Sequence, residues 1–142
     1  AALIEEMTRL EFTRDQVRPV LEAATGAASL LGPVGEASSD AVAYGVIDGR
    51  SLETVALAAA LAARSDASGA PRLLAWLAAE RHVALEIDGN DLIAAGLQEG
   101  PEVGMRLGAA LRAKREGSAP DRDAELRAAL AAELEEGRSI QT

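Results

Sequence analysis

The sequence predicts an all-α fold, a multihelical bundle of about seven or eight short helices with no sheet. Three observations lead there. Apolar residues return every three or four positions through most of the chain, which is the spacing of one helix face. Capping residues recur in front of these runs and Gly or Pro behind them. In residues 83–87, Val83, Leu85 and Ile87 alternate with Ala84 and Glu86, and a single extended segment cannot make a sheet. The hydrophobic fraction is 49%, but 32 residues are Ala, so about half of it lies in side chains too small to fill much volume. A thin, Ala-rich core of this kind would gain from leaning on another domain. The length of 142 residues suits one domain or two small helical lobes. We divide it into a body-like lobe, 1–85, and a glycine-motif tail lobe, 86–142, packed together as one unit.

In chain order, Leu3, Ile4, Met7 and Leu10 mark one face of a first helix. Thr13 with Gln16 forms a capping box, and Phe12 is the hydrophobic residue in front of it. Pro19 sits too deep for the first turn of a helix started there, so that helix either kinks or begins nearer Arg18. Val20, Leu21, Ala24, Ala28 and Leu31 continue its apolar face to Gly32-Pro33, read as a break, with residues 34–39 as loop. Ser38 or Ser39 caps a helix over 40–47 that Asp48-Gly49 ends, and Ser51 caps another reaching Ala63. The small, polar residues 64–69 are expected to form a mobile loop. Helix resumes near Pro71 and carries Leu73, Leu74, Trp76 and Leu77 to about Arg81, with Trp76 in the core. Residues 83–87 then form an extended linker.

The richest stretch is 87–115. Asp88-Gly89 reads as a tight turn, and Asn90 or Asp91 caps a short helix running to Ala95. Gly96 stops that helix, because the position past a helix end usually needs a left-handed backbone. Gly100 turns the chain again, Pro101 fits the first helical position, and Glu102 suits the positive end of a longer helix reaching Arg115. Val103, Leu107 and Leu111 form one stripe of that helix, while Gly104 and Gly108 sit four apart on another. Each interior glycine costs about 1 kcal/mol relative to Ala, so the pair asks for a close approach, by another helix or by the backbone of a ligand. After Gly117-Ser118-Ala119-Pro120, Asp121 or Asp123 starts a last helix with Leu126, Leu130 and Leu134 four apart, closed by Gly137. Residues 138–142 are expected to fray.

The run Gly89-x-Asp91-Leu92-Ile93-x-x-Gly96-x-x-x-Gly100-Pro101-x-x-Gly104-x-x-Leu107, followed by Ala113-Lys114-x-x-Gly117, resembles the C-terminal region of bacterial tRNA nucleotidyltransferases. These are the CCA-adding enzymes and their poly(A) polymerase relatives. Weaker agreement at Asp48-Gly49-x-Ser51-x-Glu53 and Glu125-Leu126 extends the resemblance over most of the chain. It implies an all-helical, non-catalytic part that grips tRNA while a separate N-terminal head domain extends the 3′ end. That head would use Mg2+ and nucleoside triphosphates; no cofactor is expected in this chain. The RNA-binding residues so implied are Gly100, Gly104, Arg106, Arg112, Lys114 and Arg115.

Nothing in the residues supplies chemistry of its own. His82 is the only His and Cys is absent, which removes zinc ligation and the usual nucleophile–base sets. His82 reads as structural or solvent-exposed. Asp121-x-Asp123 has the spacing of a carboxylate metal pair but opens a helix, where acids belong anyway. Phosphate loops and dinucleotide fingerprints are absent, and the resembled family's Gly-Ser motif and metal-binding Asp pair have no counterpart. The chain is therefore expected not to be an enzyme by itself. With no Cys, no apolar run of spanning length and no signal peptide, a soluble cytoplasmic protein is expected.

The formal charge is −9, which opposes nucleic-acid binding in general. Over 101–115, however, four basic residues face the single acidic Glu102, a local +3. Arg112, Lys114 and Arg115 also suit the negative end of the helix dipole. One Trp, one Tyr and one Phe leave no stacking platform, so contact with RNA would go to phosphate, ribose and overall shape. Phosphate at the amides after Gly100 is opposed by Pro101, which removes one of them, and by the charge of Glu102. Two other readings stand beside tRNA holding. One is a helical interaction or homodimerisation module with Gly104 and Gly108 at a close contact, and the other is a helix-hairpin-helix-like binder of duplex DNA.

Overall fold

The computed structural model describes residues 2–11 and 13–132, and every regular element among them is helical. The order is α1 (Ala2–Arg9), α2 (Arg14–Glu36), α3 (Asp40–Ile47), α4 (Leu52–Arg64), α5 (Ala70–Ala78), a 3-10 turn (Glu80–His82), α6 (Gly89–Ala94), α7 (Pro101–Arg115) and α8 (Arg122–Ala131). The chain divides into two units, Ala1–Arg81 and His82–Thr142, so residues 82–85 fall with the second. The readings made above for the Leu3 side chain, Phe12, Leu134, Gly137 and residues 138–142 lie outside the described residues.

In the first unit α2 packs on α3 and α4, and α5 packs on α3 and α4. The core joins Ala27, Leu30 and Val34 of α2, Ala43, Tyr44 and Ile47 of α3, Val55, Ala58, Ala59 and Ala62 of α4, and Leu73 and Trp76 of α5. Five of these twelve are Ala, so the helices approach closely. Gly26 shows how closely: a Cβ there would lie 3.1 Å from Cγ2 of Thr54. Trp76 is buried as expected, and its Nε1 donates to Asp48 Oδ1 at 2.9 Å.

The caps of α3 and α4 are Ser39 and Ser51, whose hydroxyls accept from Val42 N and Thr54 N, each at 3.2 Å. Gln16 Oε1 accepts from Thr13 N at 2.9 Å, so α2 starts where the capping box places it and Pro19 lies inside it. The first helix buries Met7 and leaves Ile4 exposed, and Leu10, in the turn after it, is exposed as well.

Helix α2 corrects the sequence reading. Gly32-Pro33 does not break it, and residues 34–36 are helix rather than loop. A proline inside a helix removes one hydrogen bond and crowds the preceding turn. Tertiary contacts outweigh that cost here. Val34 is fully buried, and the Arg72 guanidinium from α5 closes the helix end, Nη1 donating to the carbonyls of Val34 (2.8 Å) and Ala37 (3.0 Å). Its Nε donates to Asp40 Oδ1 at 2.9 Å. The buried stripe is also turned from the one expected: Ala27, Leu30 and Val34 face inward, while Val20 and Ala28 are exposed.

The turn after α4 is exposed at Arg64, Ser65, Asp66 and Ser68 and tied down at Ala67 and Gly69. Ala67 N donates to Ala62 O at 2.9 Å, and Gly69 is buried where a Cβ would meet Val34 Cγ1 at 3.2 Å and Gly35 N at 3.3 Å. Replacing Arg72 with Met is expected to cost about 1–2 kcal/mol, since it removes the carbonyl caps and a half-exposed ion pair. Urea unfolding of the variant against the wild type measures it, and an unchanged midpoint would show that α2 holds its last turn without the cap.

Candidate nucleic-acid interface

The second unit is built around α7, with α8 along it and α6 against both. Ile87, Leu92, Ala110 and Ala129 form its core, with Leu85, Leu97, Val103, Leu107 and Leu126 packed around them. The alternation at residues 83–87 is realised without a strand and with a bend at Glu86: Val83 and Leu85 are partly buried and Ile87 buried, while Ala84 and Glu86 are exposed.

The cap of α6 lies two or three residues ahead of the one expected. Asp88, not Asn90 or Asp91, is the N-cap; its Oδ1 accepts from Asn90 N (2.8 Å) and Asp91 N (3.2 Å). Asp91 returns the contact, with Oδ2 accepting from Asp88 N at 2.9 Å, and its other oxygen pairs with Arg122 of α8. Gly89 is thus the first helical residue rather than part of a turn, and a Cβ there would lie 3.1 Å from Val103 Cγ1 on α7. Gly96, with φ of 105°, ends α6 in the left-handed region as its position predicted.

Helix α8 buries a different face from the one read in the sequence. Asp121 caps it, accepting from Ala124 N at 2.8 Å. Its inward residues are Ala124, Glu125 and Ala129, whereas Leu130 is 40% exposed and Leu126 only partly buried. A leucine stripe would normally win this competition. Here a wholly buried carboxylate wins because all its bonds are met. Glu125 Oε2 accepts from the backbone amides of Glu86 (2.7 Å) and Ile87 (3.2 Å), and Oε1 pairs with Lys114 Nζ at 2.6 Å. Burial alone pushes the Glu125 carboxyl up. The hydrogen bond and charge of Lys114, with the two amides, more than offset it and hold the group below its ordinary value.

Of the six residues singled out above, Gly100, Gly104 and Arg112 are exposed, Arg115 is partly buried, and Arg106 and Lys114 are engaged within the unit. The Arg106 Nε donates to Glu102 Oε1 at 2.7 Å, and its Nη1 reaches the carbonyls of Ala129 (3.0 Å), Leu130 (2.8 Å) and Ala132 (3.2 Å). Arg106 therefore closes the C-terminal end of α8, as Arg72 does for α2. Lys114 is held by Glu125. The local +3 thus overstates the positive charge that α7 offers outward.

Gly104 and Gly108 are not beneath another helix of the described residues. Both are exposed, and a Cβ built on either meets no described atom within 4 Å. Met105 between them is 54% exposed. The outward face of α7 is therefore open at the two glycines, with Met105 standing between them and Arg112 one turn beyond Gly108.

No protein-family model, curated protein or solved structure matches this chain.

Sequence reasoning missed Glu125 as the centre of the unit. One signal was present: on α8 it follows Ala124 and falls three and four residues before Ala128 and Ala129, a carboxylate on the helix's alanine face. Nothing in the sequence pointed to the backbone amides of Glu86 and Ile87 as its partners.

Proposed function

We propose that this chain is the non-catalytic, tRNA-holding C-terminal part of a tRNA nucleotidyltransferase of the CCA-adding or poly(A) polymerase type. One observation carries the reading: two helix-interior glycines, each costing about 1 kcal/mol, stand on an open face where no described part of the chain needs them. Two positions without side chains let the backbone of a folded RNA come close beside Met105, and Arg112 on the same helix supplies a cation for a neighbouring phosphate. The ordered glycine motif from Gly89 to Leu107, which includes Gly104, supports the same reading through its resemblance to the tRNA-holding region of those enzymes. Holding a folded substrate at a fixed place turns chain extension by a head domain into a positioned reaction.

Filter binding of the chain to tRNA at low and moderate salt tests the proposal. Binding that weakens with salt is expected, and none at low salt would contradict it. Arg112→Glu is expected to weaken binding about fivefold with little loss of stability, as one exposed charge contact turns repulsive. Unchanged affinity would remove Arg112 from the interface.

The exposed Met105 beside the glycines favours a second reading, a helix-to-helix contact between two copies of the chain. Sedimentation separates the two readings, since a tight dimer without tRNA affinity belongs to the second alone.

A further inference from the structure

Residues 83–87 lead into the second unit with almost no polar anchorage of their own. Among the described residues, the segment is tied by two hydrogen bonds, from the amides of Glu86 and Ile87 to Glu125 Oε2. Their remaining hold is apolar: Ile87 is 5% exposed, Leu85 packs against the same core, and Val83 is partly buried. A carboxylate accepting two backbone amides gives strong, charge-assisted bonds, but both end on one side chain. The helices beside the segment are held differently, by their own backbone ladders and by Arg106 and Arg122. We infer that residues 83–87 form a strap latched by the single carboxylate of Glu125, which opens as a unit while α7 and α8 stay folded.

The position of the strap gives this opening a consequence. It runs directly into Asp88, the cap of α6, and into Gly89, which sits against Val103 of α7. When the latch releases, Ile87 leaves the core and the start of α6 loses its lead-in, so movement of the strap reaches the glycine-bearing helix without melting it. Local openings of this kind lie below global unfolding in free energy and are visible in amide exchange. The groups facing the latch are Lys114 from α7 and the two amides; Asp91 and Arg122 form a separate pair. The inference is independent of the RNA reading, since it concerns how the unit opens and not what it binds.

Amide hydrogen exchange followed by NMR on the full 142-residue chain tests it, comparing the wild type with Glu125→Gln. A glutamine oxygen accepts from the two amides without the charge that strengthens them, and its amino group meets the Lys114 ammonium as a second donor in place of an acceptor. The expected result is exchange at Glu86 and Ile87 faster on the order of 100-fold, with Ala110 and Leu111 of α7 still protected. Equal protection of all four amides in the variant, or no acceleration at Glu86 and Ile87, would overturn the strap. If the variant loses its helical circular dichroism, the wild type decides the matter through exchange at low urea. Strap amides should then be insensitive to urea while that of Ala110 follows it. The same urea dependence at both would overturn the inference.

Discussion

Replacing Glu125 with Gln is expected to destabilise the second unit by about 3 kcal/mol, a large share of what a small unit has to lose. The residue is wholly buried and joins three parts of the chain: α8, which carries it, α7 through Lys114, and the lead-in segment through the amides of Glu86 and Ile87. Removing one member of a buried ion pair leaves the other charge uncompensated, which is why such changes cost more than the pair is worth as a whole. Lys114 retains some access to water, with its side chain 23% exposed, so the loss should fall at the lower end of the usual range. The effect should also depend on pH. The carboxyl is held below its ordinary value in the folded chain, so its contribution is complete above that ordinary value and disappears as pH falls through the folded one. The stability gap between wild type and variant should accordingly be full at neutral pH and narrow in acid. Urea unfolding at several pH values measures this, and a gap that stayed constant into acid would contradict the lowered carboxyl.

How much of this was legible in the sequence depended on whether the signal was local. The caps at Ser39, Ser51 and Asp121 and the stops at Gly49 and Gly96 were readable because a cap and its amides lie within three residues of each other. The start of α7 at Pro101 was readable for the same reason. The continuation of α2 through Pro33 was not, because the group that holds its last turn is Arg72, 38 residues from Val34. Glu125 was hidden in the same way, since its amide partners lie 38 and 39 residues away. Its helix was then read on the leucine face, where large apolar side chains normally decide the orientation. The Ala-rich composition adds to the difficulty, because a face made of Ala110, Ala124 and Ala129 has no periodic contrast with its neighbours. For the candidate interface, the spacing of Gly104 and Gly108 was plain. Whether another helix covered them was not, and the four cations of α7 looked alike until Arg106 and Lys114 were found paired.

The open glycines lead to an expectation in which stability and function move in opposite directions. Changing Gly104 and Gly108 together to Ala should stabilise the protein by about 1 kcal/mol at each position, because both lie within helix α7 and Ala is the better helix former. No described atom lies within 4 Å of either added Cβ, so nothing in the described chain opposes the gain. Two methyl groups would nevertheless stand on the face where an RNA backbone is proposed to come close. A contact of that kind tolerates little extra bulk, and tRNA affinity should fall about tenfold or more. Few substitutions distinguish a structural glycine from a ligand-facing one so directly, since a glycine kept for packing would lose stability here instead.

The deciding measurement is tRNA binding by the Gly104→Ala, Gly108→Ala chain beside the wild type, at equal salt and with both shown to be folded. A protein that is more stable yet binds tRNA markedly more weakly is the expected result. A more stable protein that binds tRNA as well as the wild type would contradict the proposed role of the α7 face.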